Sequence, residues 1–126
     1  MRRLILGCAI VAALIYAAIA LPAAPIKGPA TLTATAGDQQ VVLSWPASAS
    51  SGVTGYRVYR RGTNGKWPTS PLATTGALTY TNTGLANGTA YTYRVTAVAG
   101  SRESKPSPTA TATPVAVRVL RATLLA

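Results

Sequence analysis

Residues 85–99 read LANGTAYTYRVTAVA. Asn87-Gly88 is a tight-turn dipeptide, because both residues tolerate positive φ. Beyond it the chain alternates. Tyr91, Tyr93, Val95 and Ala97 fall on one side at period two; Thr92, Arg94, Thr96 and Val98 fall on the other. One apolar side and one threonine-rich side predict a strand of an antiparallel sheet that is buried on one face only. Asn87-Gly88-Thr89 also spells an N-glycosylation sequon, but a tight turn asks for the same Asn-Gly pair, and the turn is the reading preferred.

The same alternation recurs on either side. Residues 39–45 carry Val41, Leu43 and Trp45 on one face, which makes Trp45 a core residue. Residues 53–61, VTGYRVYRR, turn Tyr56 and Val58 inward and Arg57, Tyr59 and Arg61 outward. Residues 30–36, with Leu32 and Ala34, read as a first strand closed by a turn at Gly37-Asp38. Residues 66–75 read as an edge strand because Pro68 and Pro71 cannot donate to a ladder; Trp67 lies at its start. Residues 76–83, with Leu78 and Tyr80 on one face, and residues 104–113, interrupted by Pro106 and Pro108, complete the set. Residues 100–105 join the last two strands as a loop. Short strands punctuated by turns predict an all-β sandwich.

Three motifs, VVLSW, GYRVYR and GLANGTAYTYRVTA, together resemble the fibronectin type III domain over about residues 29–114. The resemblance implies a seven-stranded antiparallel, immunoglobulin-like β-sandwich. It puts Trp45 and Tyr56 in the core and Leu85 at the corner before the sixth strand. It makes Tyr91 the tyrosine that folds back to bond the backbone of that corner. It also makes residues 53–61 and 91–99 neighbouring strands. The family's adhesive Arg-Gly-Asp is missing from the loop where the resemblance would put it, which reads AGSRES; Arg61-Gly62-Thr63 lacks the aspartate. The receptor-type Trp-Ser-x-Trp-Ser motif is missing too. In extracellular bacterial enzymes, modules of this kind hold catalytic and carbohydrate-binding domains apart, so a fragment of a larger secreted carbohydrate-active enzyme is the alternative to a stand-alone binder.

The flanks differ in character. Residues 1–20 begin with Arg2-Arg3, continue through an apolar run and end in Ala18-Ile19-Ala20, which is the layout of a secretory signal cleaved after Ala20. The alternative is an uncleaved membrane anchor over residues 4–21, at the short end of what crosses a bilayer. Both place the domain outside the cytoplasm. Residues 21–29 are a Pro/Ala linker, residues 30–114 the domain, and residues 115–126 an apolar tail of unassigned role. The one cysteine, Cys8, lies in the apolar run.

Composition limits the chemistry. The chain has twelve Lys and Arg, two acids and no His, for a net charge of +10. Without His, no Ser-His-Asp or Cys-His arrangement can be built, and a metal centre lacks ligands, so neither catalysis nor a cofactor is expected. Asp38 and Glu103 are the only carboxylate side chains. Glycoside hydrolysis wants such a pair about 5–10 Å apart; the topology that the resemblance implies puts the turn with Asp38 and the loop with Glu103 at opposite poles, a strand's length of roughly 17–20 Å apart. The excess charge suits an anionic polysaccharide or cell-wall polymer. Sparse aromatic interleaving disfavours nucleic acid. Arg57, Tyr59, Arg61 and Arg94 are expected to form one exposed basic strip with no acid beside it, Trp67 being a further binding candidate. Lys27, Arg102 and Lys105 are expected to be dispersed.

Overall fold

The computed structural model describes residues 23–118, which form two antiparallel sheets. The readings of residues 1–20 and of Cys8 lie outside the described residues, and so does most of the tail. No helix among the described residues is long and apolar enough to cross a membrane.

The strand at the centre is β6 (Tyr91–Ala99). One edge pairs with β3 (Gly55–Arg60), in a register running from Gly55 opposite Val98 to Arg60 opposite Tyr93. The other edge pairs first with β7 (Arg102–Glu103) and then with β8 (Ala110–Ala112). The far side of β3 takes the short β4 (Ala73–Thr75). The facing sheet is ordered β1 (Thr33–Gly37), β2 (Gln40–Ser44), β5 (Thr79–Asn82). Period-two alternation turns Val41 and Leu43 of β2 toward Tyr56 and Val58 of β3 and Tyr93, Val95 and Ala97 of β6. With Trp45, Leu85 and Ala112 these make the core. Each fully buried Val or Leu contributes about 1.5–3 kcal/mol over leaving it in water.

The edges depart from expectation. The first strand starts later than residue 30, and Leu32 and Ala34 are only half-buried. The strand expected over residues 76–83 is confined to β5; the Leu78 carbonyl, just before it, accepts from Trp45 N–H at 3.0 Å, but the Leu78 side chain stays 42% exposed. In residues 66–75 only β4 and the Leu72 N–H just before it bond β3, and the two prolines, Pro68 and Pro71, have no N–H to extend the ladder further back.

The last strand is split in two by Pro106 and Pro108. Two serines bridge the gap. Ser104 N–H donates to the Ala97 carbonyl (2.9 Å), and Ser104 Oγ accepts from Ala97 N–H (2.8 Å). Ser107 does the same to Val95, at 2.8 and 3.0 Å. Side-chain oxygens thus replace ladder acceptors where the prolines break the ladder, and no buried donor of β6 is stranded there.

Nor is the β3–β6 sheet buried on one side only. On its outer face Tyr59, Thr96 and Val98 are also buried, at 5%, 4% and 9% exposure. A carboxylate brought over that face, described next, covers Tyr59 and Thr96.

Candidate functional site

The register of β3 and β6 sets Arg57 opposite Thr96 and Tyr59 opposite Arg94, all on the outer face. Residues 100–105 do not form a free loop. Gly100, at φ +61°, allows a tight reversal, and β7 then lays Glu103 across the sheet. Glu103 Oε2 accepts from Arg57 Nη1 at 2.8 Å, while Oε1 accepts from Tyr59 Oη at 2.5 Å and from Thr96 Oγ1 at 2.6 Å.

Two expectations are therefore corrected. An acid does sit beside the strip and neutralises Arg57, though not Arg61 or Arg94, and Tyr59 is buried under it. Burial would by itself raise the Glu103 carboxyl. The bonds from Thr96, Tyr59 and Arg57, with the Arg57 charge, outweigh burial and hold the carboxyl below the usual carboxylate range. Burial, then the bond to Glu103, pushes the Tyr59 phenol up; the same carboxylate raises Arg57.

Trp67 joins the other half of the strip. The Arg94 guanidinium lies 4.3 Å from the centre of its ring, and that of Arg61 lies 5.5 Å away. Arg94 also lies 5.6 Å from the Tyr59 ring centre. Arg94 Nε is buried with no hydrogen-bond partner, so the stack is desolvated on that side, where cation–π attraction is stronger. Arg57 and Tyr59 thus belong to Glu103, and Arg61 and Arg94 to Trp67. The sequence pattern supplied the residues and their face. It did not supply the acid, because Glu103 reaches them through a two-residue strand with no alternation to read.

The residues read as structural occupy four linked places. Trp45 is 4% exposed and meets Tyr56 edge to face, with ring centres 5.8 Å apart; Tyr56 Oη accepts from Ser48 N–H at 2.9 Å. Leu85 is buried at the corner. Tyr91 Oη accepts from Ala86 N–H at 3.0 Å, and Arg60 lies over the Tyr91 ring. Gly88 has φ +84°, and both ends of the Asn87 amide are used: Oδ1 accepts from Gln39 N–H and Nδ2 donates to Asp38 Oδ1, each at 2.8 Å. This pair of bonds ties the corner to the β1–β2 turn.

Lys27, Arg102 and Lys105 are not dispersed. They line one cleft of about 480 Å³ between residues 25–29 and residues 102–106. Sequence spacing hid this, because Lys27 sits in what reads as a loose linker. Asp38 and Glu103 lie toward opposite ends of β6, the first against the corner that precedes it and the second paired with Val98. Among the described residues no three His, Cys, Asp or Glu gather as metal ligands.

Two sheets in this order, a core tryptophan after the second strand and a tyrosine bonded back across the corner before the sixth define an immunoglobulin-like sandwich. The chain belongs to the fibronectin type III domain family, whose model matches residues 27–113. It is 42% identical over 88 residues to an alpha-amylase of Niallia circulans, an alignment covering 68% of this chain and 6% of that one. It is 36% identical over 70 residues to an amylopullulanase of Thermoanaerobacterium saccharolyticum, covering 56% of this chain and 5% of that one. Among solved structures, a beta-1,2-glucanase from Parabacteroides distasonis superposes with TM-score 0.65 at 25% identity, over 75% of this chain and 13% of that one. The chain thus spans a small part of each relative's length.

Proposed function

We propose that this domain is a non-catalytic spacer within a larger protein that acts on carbohydrate outside the cytoplasm. One observation carries the reading: the chain comes in at one end of the sandwich and goes out at the other. Coming in, the Lys27 backbone bonds Ser48 and Ser50, and Arg102 Nη2 donates to the Ala24 carbonyl, all at the end of the sandwich where β6 finishes. Going out, the Pro114 carbonyl accepts from Gly88 N–H, and Val115 N–H donates to the Gly37 carbonyl, at the end where β6 begins. The nine residues of β6 separate these ends by about 30 Å. A module so threaded holds whatever precedes it and whatever follows it apart.

Relatives named as an amylase, an amylopullulanase and a glucanase support the carbohydrate setting. The leader-like residues 1–20 support export, and in the anchor reading of residues 4–21 the membrane is what the module stands off from the part that follows it. Non-catalysis rests on chemistry: there are two carboxylate side chains and no histidine, and one carboxylate is held by three internal bonds.

A second reading keeps a peripheral contact to anionic or carbohydrate polymer on the β3–β6 face. It now rests on Arg61, Arg94 and Trp67, because Arg57 and Tyr59 are spoken for.

The spacer reading is tested by size. An antibody to residues 23–118, applied to culture medium and cells of the source, should detect a species several-fold larger than the 126-residue chain. A sole species at or below that size contradicts the spacer and leaves the stand-alone binder.

A further inference from the structure

The geometry points to an anion-binding groove between residues 24–29 and β7 that takes a carboxylate-bearing polysaccharide. The reading is independent of the spacer role. Three cations, Lys27, Arg102 and Lys105, line the cleft, with Pro25, Ile26 and Pro106 as apolar walls. Glu103 also borders it, but both carboxylate oxygens are turned to Arg57, Tyr59 and Thr96, and the Arg57 charge cancels its own. The only other acid, Asp38, is bonded to Asn87 at the far end. Three like charges therefore share one cleft with no counter-charge, which an anion relieves.

The groove is built, not a chance gap. Ser48 Oγ donates to the Lys27 carbonyl at 2.6 Å, and Ser50 Oγ accepts from Lys27 N–H at 2.9 Å. Gly28 packs so close to the segment between β7 and β8 that a Cβ there would collide with the Lys105 carbonyl oxygen. One Arg102 N–H is spent on Ala24; the rest of the guanidinium fork remains for a bidentate acid.

The shape argues for a polymer. A second cleft of about 300 Å³, bordered by Ser50 and Ser51, adjoins the first and shares Pro25, Ile26 and Arg102 with it as walls, which offers successive acid groups of one chain two neighbouring sites. The chemistry argues for a polyuronate over a nucleic acid. Single strands are held by stacking on aromatic rings, and neither cleft is lined by one.

The test is retention of the full chain on immobilised polygalacturonate, with salt titration. Lys27→Gln/Arg102→Gln/Lys105→Gln should weaken binding at least tenfold. It should also flatten the slope of log affinity against log salt by about two to three, one for each cation removed from the groove. Arg60→Gln/Lys66→Gln/Arg118→Gln removes the same charge elsewhere and should change binding less than threefold. Gly28→Ala changes no charge but pushes residues 25–29 away from Lys105; it should weaken binding three- to tenfold while the thermal midpoint still shows a folded domain. Equal losses in the two triple variants, or no loss in the first, overturn the groove. Oligothymidylate binding as tightly as polygalacturonate overturns the choice of polymer.

Discussion

Gln39 is the one residue other than glycine with positive φ among those described, at 54°. It fills the two-residue turn between β1 and β2, where Gly37 pairs with Gln40. A side chain in the left-handed region costs about 1–2 kcal/mol, partly offset by the stiffer unfolded chain it gives. Gln39→Gly should therefore raise stability by about 0.5–1 kcal/mol, read as a higher urea midpoint. The sequence signal there was Gly37-Asp38; the left-handed position falls two residues after the glycine, so the turn was legible and its strained residue was not. Trp45 and Tyr56 were legible because each sits at period two in a strongly alternating run, whereas the bond Tyr91 makes to the corner was legible only through the resemblance to the fibronectin type III domain. Trp45→Ala should cost about 3–5 kcal/mol by emptying core volume. Tyr91→Phe should cost about 0.5–1.5 kcal/mol, at the modest end because Ala86 N–H is near water and can be rehydrated. Equal chemical-denaturation midpoints for wild type and Tyr91→Phe would remove the hydroxyl from the corner's stability.

The edge strands are where pattern reading loses its hold. Pro106 and Pro108 marked residues 104–113 as an interrupted edge, yet nothing in alternation says that Ser104 and Ser107 stand in for ladder acceptors. Ser107→Ala should strand the buried Val95 N–H and cost about 1–3 kcal/mol, well above an exposed Ser→Ala; comparison with Ser101→Ala in the same urea titration checks it. β7 makes the second element-scale prediction. The Glu103 carboxyl is depressed in the folded state, so the unfolded chain binds more protons at acid pH. Its stabilisation is full above the ordinary carboxylate pKa of about 4.3 and is lost as pH falls through the lower folded value. Wild type should lose thermal midpoint between about pH 5 and the folded pKa. Glu103→Gln should start lower at pH 7 and change less across that range. Parallel acid limbs in the two proteins would remove Glu103 as the source. Neither Glu103's partners nor the pairing of Lys27 with Lys105 across one cleft was legible in sequence, because both depend on how short irregular segments fold back.

At the scale of the whole molecule, legibility returns. Seven turn-bounded runs and three motifs implied the sandwich, and the sandwich's topology in turn fixes where the chain comes in and goes out. The proposed spacer role rests on this scale, on bonds that hold residues 24–27 at one end and residues 114–115 at the other. An electron-spin distance measurement tests it most directly. Labels at Ala23→Cys and Ala116→Cys, in the full chain carrying Cys8→Ser, should give a single narrow distribution centred at about 30–40 Å, the length of β6 plus the label arms. A distribution centred below about 20 Å would put both attachment points at the same end and contradict the spacer.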